Sequence, residues 1–205
     1  MTVQASNTEQ KRLRILGDDE IAALYERPRF TDEERMEYFS LSPAEKTMVE
    51  QFHSIPSRRY GILQLGYFKA RHLFFAFELQ EAIEDARSIQ QLSFPDFQLT
   101  EFAMTKVTRL RHQRLIREHF HYRRCHARER QQLEHKALQS ARVDSKPLYI
   151  FRELMHSLAA QRIVSPAYSG MQDTVGKALS DEQRRLTTSL RDHLEPAEID
   201  ALTLL

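Results

Sequence analysis

The chain has 205 residues, enough for one large helical domain or two small ones, each with its own core. A single cysteine, Cys125, excludes an internal disulfide, and five glycines, seven prolines and no tryptophan argue against a turn-rich β architecture, so the expected class is all-α. The net charge of +1 conceals a segregation: residues 1–100 carry 12 basic and 16 acidic side chains, 101–142 carry 11 and 4, and 143–205 carry 7 and 9.

The most apolar stretch, Tyr60 to Phe77, is interrupted by Gln64, Lys69, Arg71 and His72, which are costly in hydrocarbon, so a buried helix is expected and no membrane association. No charged-then-apolar leader argues for export, and the expected compartment is the cytoplasm.

In chain order, "GDDEIAAL" starts a helix near Asp18. A second starts at "FTDEERMEYF", with Thr31 as N-cap and Glu34 as its capping-box partner. "SPAEKTMVEQF" repeats the device: Ser42 caps, Pro43 takes the first helical position and Glu45 closes the box. After a "SIPSRR" connection an apolar helix starts at Tyr60, followed by "ELQEAIEDARSIQQL", which keeps helical spacing. "SFPDFQ", residues 93–98, breaks the pattern and suggests two subdomains, 1–95 and a basic 96–205. A basic helix is expected from Thr100 to about His119, another over 126–141, a third from Pro147 and a fourth over Ser169 to Leu179. Ser180 with Gln183 is expected to cap one more, and "EPAEIDALTLL" ends the chain.

The basic segment carries the chemistry. On a helix Lys106, Arg109, Gln113 and Arg117 project from one face with Arg114 beside them, whereas Arg111 lies on the opposite side from Arg109 and Arg117. Tyr122, Arg123 and Arg124 come next in the turn, and Arg128 and Arg130 open the next helix, where cations oppose the helix dipole. Two readings fit. The arginines line a solvated face salt-bridged to acids of the N-terminal half, or they meet a polyanion, for which the planar guanidinium fork is suited. Further on, Leu148, Phe151, Leu154, Met155 and Leu158 form one apolar stripe and Met171, Val175, Ala178 and Leu179 another. The pair fits a helix-turn-helix offering Ser169, Gln172 and Asp173 to a groove, or a plain helical hairpin with a long turn.

Other chemistry is not legible. His119, His121, Cys125 and His126 fit no zinc-site spacing, Cys125 has no oxyanion-stabilising neighbour, and there is no phosphate-cradling glycine loop. No metal, cofactor or catalytic residue is expected.

Five stretches in register, "RILGDDEIAALYERPRFTDEERMEYFSLS", "GILQLGYFKARHLFF", "RHQRLIREHFHYR", "IFRELMHSLAAQRIVSPAYSGMQDTVGKALSDEQRRL" and the closing leucine-rich segment, resemble the N-terminal region of the replicative, Tn-three-type bacterial transposases. In that family the N-terminal helical region recognises the transposon's terminal inverted repeats, and a much later Asp-Asp-Glu domain, expected to be absent from this chain, cuts and joins strands. The resemblance places Arg109, Arg111, His112, Gln113 and Arg117 in the family's basic stretch and Tyr168, Ser169 and Gln172 in its turn and helix. The family often has glycine at His121, which implies a left-handed residue or a different turn here. Many members carry a longer loop where this chain has "HSIPSRRYG", leaving Arg58 and Arg59 as weaker DNA candidates.

The resulting expectation is a non-enzymatic, sequence-specific module for double-stranded DNA at transposon ends, with Arg114 among the phosphate contacts, Gln113 or Gln172 among the base contacts, and homodimerisation through a full-length protein. The alternative is a protein-interaction or dimerisation module whose basic face meets an acidic partner. RNA stands third, because no aromatic stacking platform accompanies the basic residues.

Overall fold

A computed structural model describes residues 13–99 and 104–193. The closing segment "EPAEIDALTLL" lies outside the described residues. Among them there are nine α-helices and no strand, so the fold is all-α as expected. The helices are α1 (Asp18–Tyr25), α2 (Asp32–Phe39), α3 (Pro43–Glu50), α4 (Ile55–Arg71), α5 (Ile83–Ser93), α6 (Lys106–His119), α7 (Ala127–Val143), α8 (Pro147–Ala160) and α9 (Tyr168–His193). No described helix is long and apolar enough to cross a membrane.

Local chemistry sets the boundaries. The capping boxes of α2 (Thr31 with Glu34) and α3 (Ser42 with Glu45) form as the sequence implies, each satisfying two otherwise orphaned backbone amides. Helix α4 begins five residues before the expected Tyr60, because the Ser54 hydroxyl accepts from the Ser57 amide and a proline stands harmlessly in the first turn. Helix α6 begins later than expected, at Lys106, where Thr105 caps the Thr108 amide. Helix α9 continues through Ser180, expected to open a separate helix: Met171, Val175, Ala178 and Glu182 keep one buried face on both sides of it, and nothing breaks the ladder.

The described chain forms two compact units, one of Asp18–Cys125 with Leu158–Ser165, the other of residues 13–17, 126–157 and 166–193. The division therefore falls after Cys125 and differs from the expected 95/96 boundary. The reason is that α6, basic as it is, seats His112 and Ile116 in the same core as α3 and α4.

In the first unit α4 is the central helix, burying Tyr60, Ile62, Leu63, Leu65, Tyr67 and Phe68. Two of its glycines permit close packing. A Cβ on Gly61 would stand 2.3 Å from the Phe52 ring, and one on Gly66 would stand 2.4 Å from the Phe39 ring. The buried Asp85 carboxylate accepts from Arg35 Nε (2.9 Å), Arg27 Nη1 (3.2 Å) and the Tyr67 hydroxyl (2.7 Å), so its charge is both paired and hydrogen-bonded. Residues 162–164 complete this unit: the Arg123 amide donates to the Arg162 carbonyl (2.8 Å) and the Val164 amide to the Arg123 carbonyl (2.9 Å).

In the second unit α7 and α9 lie against each other, with Leu133, Ala137, Ala141, Met171, Val175 and Ala178 buried. The alanines leave room for close backbone approach. Lys136 pairs with Glu153 of α8 (2.7 Å), and Glu182 accepts from Arg185 (2.6 Å). Residues 161–167 join α8 to α9, whose principal partner is α7.

Candidate nucleic-acid interface

Helix α6 is anchored on one side and free on the other. Ile116 is fully buried, and the His112 ring lies 4.0 Å from Phe52 and 5.8 Å from Tyr60 by centroid. His112 Nε2 and the Ser57 hydroxyl share a 2.9 Å hydrogen bond, while Nδ1 has no partner among the described residues. Burial, helped by the nearby Arg111 charge, pushes this imidazole down from 6.5 to about 4, so at neutral pH it is uncharged. At 1% exposure it cannot touch a ligand. This corrects its candidacy as a contact residue: the buried His112 packs α6 against Phe52 and Ser57.

The C-terminus of α6 sets the course of the chain beyond it. The His121 amide donates to the Glu118 carbonyl (3.2 Å) and the Tyr122 amide to the Arg117 carbonyl (2.8 Å), with His121 at φ 58. This is a Schellman stop with histidine in the left-handed position that glycine usually takes, one of the two alternatives the resemblance left open. Tyr122 then packs on Phe68 (5.2 Å) and His72 (5.1 Å) at the edge of the core, which makes it an anchor for the exposed Arg123 and Arg124 beyond it.

With α6 seated and stopped in this way, Leu110, Arg111, Gln113, Arg114 and Arg117 line a shallow concavity of about 430 Å³ together with Arg124 from the turn beyond. Among the described residues its lining holds four arginines, one amide and one leucine, and no acid. Sequence spacing put Arg111 on the far side; in the structure it lines the same concavity as Arg114 and Arg117 while leaning on His53 Nε2 (2.7 Å). Arg114 Nε lies 3.8 Å from Glu118, an exposed pair that stabilises little. Among the described residues, Lys106, Arg109, Arg111, Arg117 and Arg124 form no ion pair with a carboxylate. Arg117, half-buried, is held below the usual arginine range, first by burial and then by the Arg124 charge, with Glu118 opposing and Arg114 adding to the effect. Crowded cations with a single exposed carboxylate, Glu118, beside them favour an incoming anion.

The other candidates fare differently. Arg59 is 0% exposed and donates from Nη2 to the Gln98 carbonyl (2.8 Å), with its guanidinium over the Phe94 ring; burial lowers its pKa, and its Nε and Nη1 find no partner among the described residues. Arg58 donates to the Phe52 (3.0 Å) and Glu50 (3.3 Å) carbonyls, closing the end of α3. Burial makes Arg59 structural, which corrects its placement among the DNA contacts, whereas Arg58 is half-buried and already engaged with backbone carbonyls. Lys106 is exposed at the start of α6 and Arg109 is half-buried.

In the second unit the Tyr168 hydroxyl accepts from the Leu16 (2.9 Å) and Ile15 (3.2 Å) amides, and Gln172 Nε2 donates to the Leu13 carbonyl (2.8 Å). Residues 13–16 are thereby strapped to the start of α9, and the Gln172 donor that was expected to read a base is already engaged. Ser169 is half-buried beside it; Arg128 and Arg130 are exposed at the start of α7. Sequence reasoning missed Leu110 as a site residue. Its signal was present, since 110, 114 and 117 lie four and three apart, on one face.

No curated protein matches the chain. The profile of one family, described as a domain of unknown function (DUF4158), matches residues 15–178, which include both the arginine-lined concavity and the start of α9. The chain therefore belongs to the DUF4158 family, a domain known in transposase-associated proteins.

Proposed function

We propose that this chain is a sequence-specific double-stranded DNA-binding module that recognises the terminal inverted repeats of a transposon, as the corresponding region of a Tn-three-type transposase does, and that it performs no strand chemistry itself. One observation carries the reading: among the described residues, those lining the concavity of Arg111, Arg114, Arg117 and Arg124 include no acid, and only Arg114 of the four forms an ion pair, at 3.8 Å. Phosphate oxygens satisfy such a cluster with charge-assisted bidentate bonds. Arginines meet the backbone here, and Gln113, half-buried at the rim, is the candidate for a base edge now that Gln172 is occupied. Arg123, Arg128 and Arg130 supply further cations for phosphate.

An electrophoretic shift of the 205-residue chain with inverted-repeat duplex against a scrambled duplex of equal length tests this. Preferential retardation of the repeat duplex supports the reading. Equal retardation reduces it to non-specific binding, and no retardation of either transfers the basic face to an acidic protein partner. Incubation with magnesium and end DNA is expected to leave the duplex uncut.

A further inference from the structure

Phosphate binding leaves two side chains of α6 unexplained. Val107 is 78% exposed and Leu110 is 41% exposed. The helical screw places both on the side opposite buried His112 and Ile116, in line with Arg114 and Arg117 at spacings of three, four and three. From its N-terminus the outward line of α6 therefore reads valine, leucine, arginine, arginine. A surface helix normally carries polar residues there, and a helix that only tracks a phosphate backbone gains nothing from branched hydrocarbon on its most exposed line.

The major groove of a duplex, about 12 Å wide, accommodates one α-helix with its side chains. The apolar group that base edges offer within it is the thymine C5-methyl, and apolar side chains meet it by contact. We propose that α6 lies in the major groove with Val107 and Leu110 against thymine methyl groups, while Arg111, Arg114, Arg117 and Arg124 hold the flanking phosphates and guanine edges. The inference rests on the duplex reading above and adds to it the base chemistry that is read. Charge complementarity selects the partner: the same face carries four arginines, with Glu118 beside Arg114 at its C-terminal end. Arg111 and Arg114, one turn beyond the apolar pair, are placed to reach the walls of the groove once the hydrocarbon has entered.

Uracil pairs as thymine does but lacks the methyl, which gives a direct test. Duplexes enriched by the full chain from a randomised pool are resynthesised with uracil in place of thymine, and affinities are compared at one salt concentration. Removing each methyl that meets Val107 or Leu110 is expected to weaken binding roughly four-fold, the equivalent of about 0.8 kcal/mol. The double variant Val107→Ser/Leu110→Ser, with both changes at exposed positions, is expected to bind the two forms alike while keeping the salt dependence of the parent, each single variant losing only part of the discrimination. Salt-dependent binding with equal affinity for the thymine and uracil forms overturns this inference and leaves the duplex reading standing. Failure to bind any duplex in a salt-dependent way overturns both.

Discussion

Replacing His112 by phenylalanine separates its structural role from the chemistry of its surroundings. The phenyl ring keeps the contacts with Phe52 and Tyr60, at 4.0 and 5.8 Å between centroids, but cannot take a proton. In the folded protein the imidazole titrates near 4, against 6.5 for an unhindered histidine. Between those values the unfolded chain binds the extra proton, so the stability contributed by neutral His112 is complete above pH 6.5 and is lost as pH falls through 6.5 towards 4. Integrated from neutrality down to about pH 5, the loss is roughly 2 kcal/mol. Carboxylates titrate in both proteins, so the difference between them isolates this group. Urea unfolding at a series of pH values is expected to show the wild type losing about 2 kcal/mol more than His112→Phe over that interval. At neutral pH the variant starts lower, by about 1 to 3 kcal/mol, because the Ser57 hydroxyl is left without its partner. Identical pH dependence in the two proteins would refute the account of a buried neutral histidine holding α6 in place.

Two further substitutions probe backbone geometry. Gly66→Ala is expected to destabilise by about 1 to 3 kcal/mol despite the better helix propensity of alanine, because its Cβ would stand 2.4 Å from the Phe39 ring; Gly176→Ala, with nothing within 4 Å, is expected to stabilise by roughly 0.5 to 1 kcal/mol. Thermal unfolding checks both, and equal effects would contradict the packing described for α4. His121→Gly is expected to raise stability by about 1 kcal/mol by relieving the left-handed φ of 58 at the end of α6; a loss of stability would mean that the side chain makes a contact stronger than the strain.

What could be read in advance divides along physical lines. Capping boxes are local, so Thr31 with Glu34 and Ser42 with Glu45 were legible from four residues each. The same local pattern misled at Ser180, because a potential cap opens a helix only where the preceding turn ends, and the buried face from Met171 to Glu182 does not end there. The break at "SFPDFQ" was real as an interruption but uninformative about partnership. Whether α6 belongs with the elements before it or after it depends on Ile116 and His112 finding Phe52, Tyr60 and Ser57 across more than fifty residues, and no periodicity reports that. For the candidate site, charge segregation marked the segment whose arginines line the concavity. It did not separate Arg59, buried under Phe94, from Arg114, nor show that Arg111 joins Arg114 and Arg117, because those distinctions arise from which side of α6 and α4 is taken by the core.

The central claim is that the guanidinium groups of the α6 concavity replace counterions on a duplex. Its most direct test is the dissociation constant for one duplex measured across a series of salt concentrations, for the wild type and for Arg114→Ala. With about six phosphates neutralised, the logarithm of affinity is expected to fall against the logarithm of salt with a slope of roughly −5, and removal of Arg114 is expected to flatten it by about 1. A slope near zero, or one that Arg114→Ala leaves unchanged, would contradict the claim.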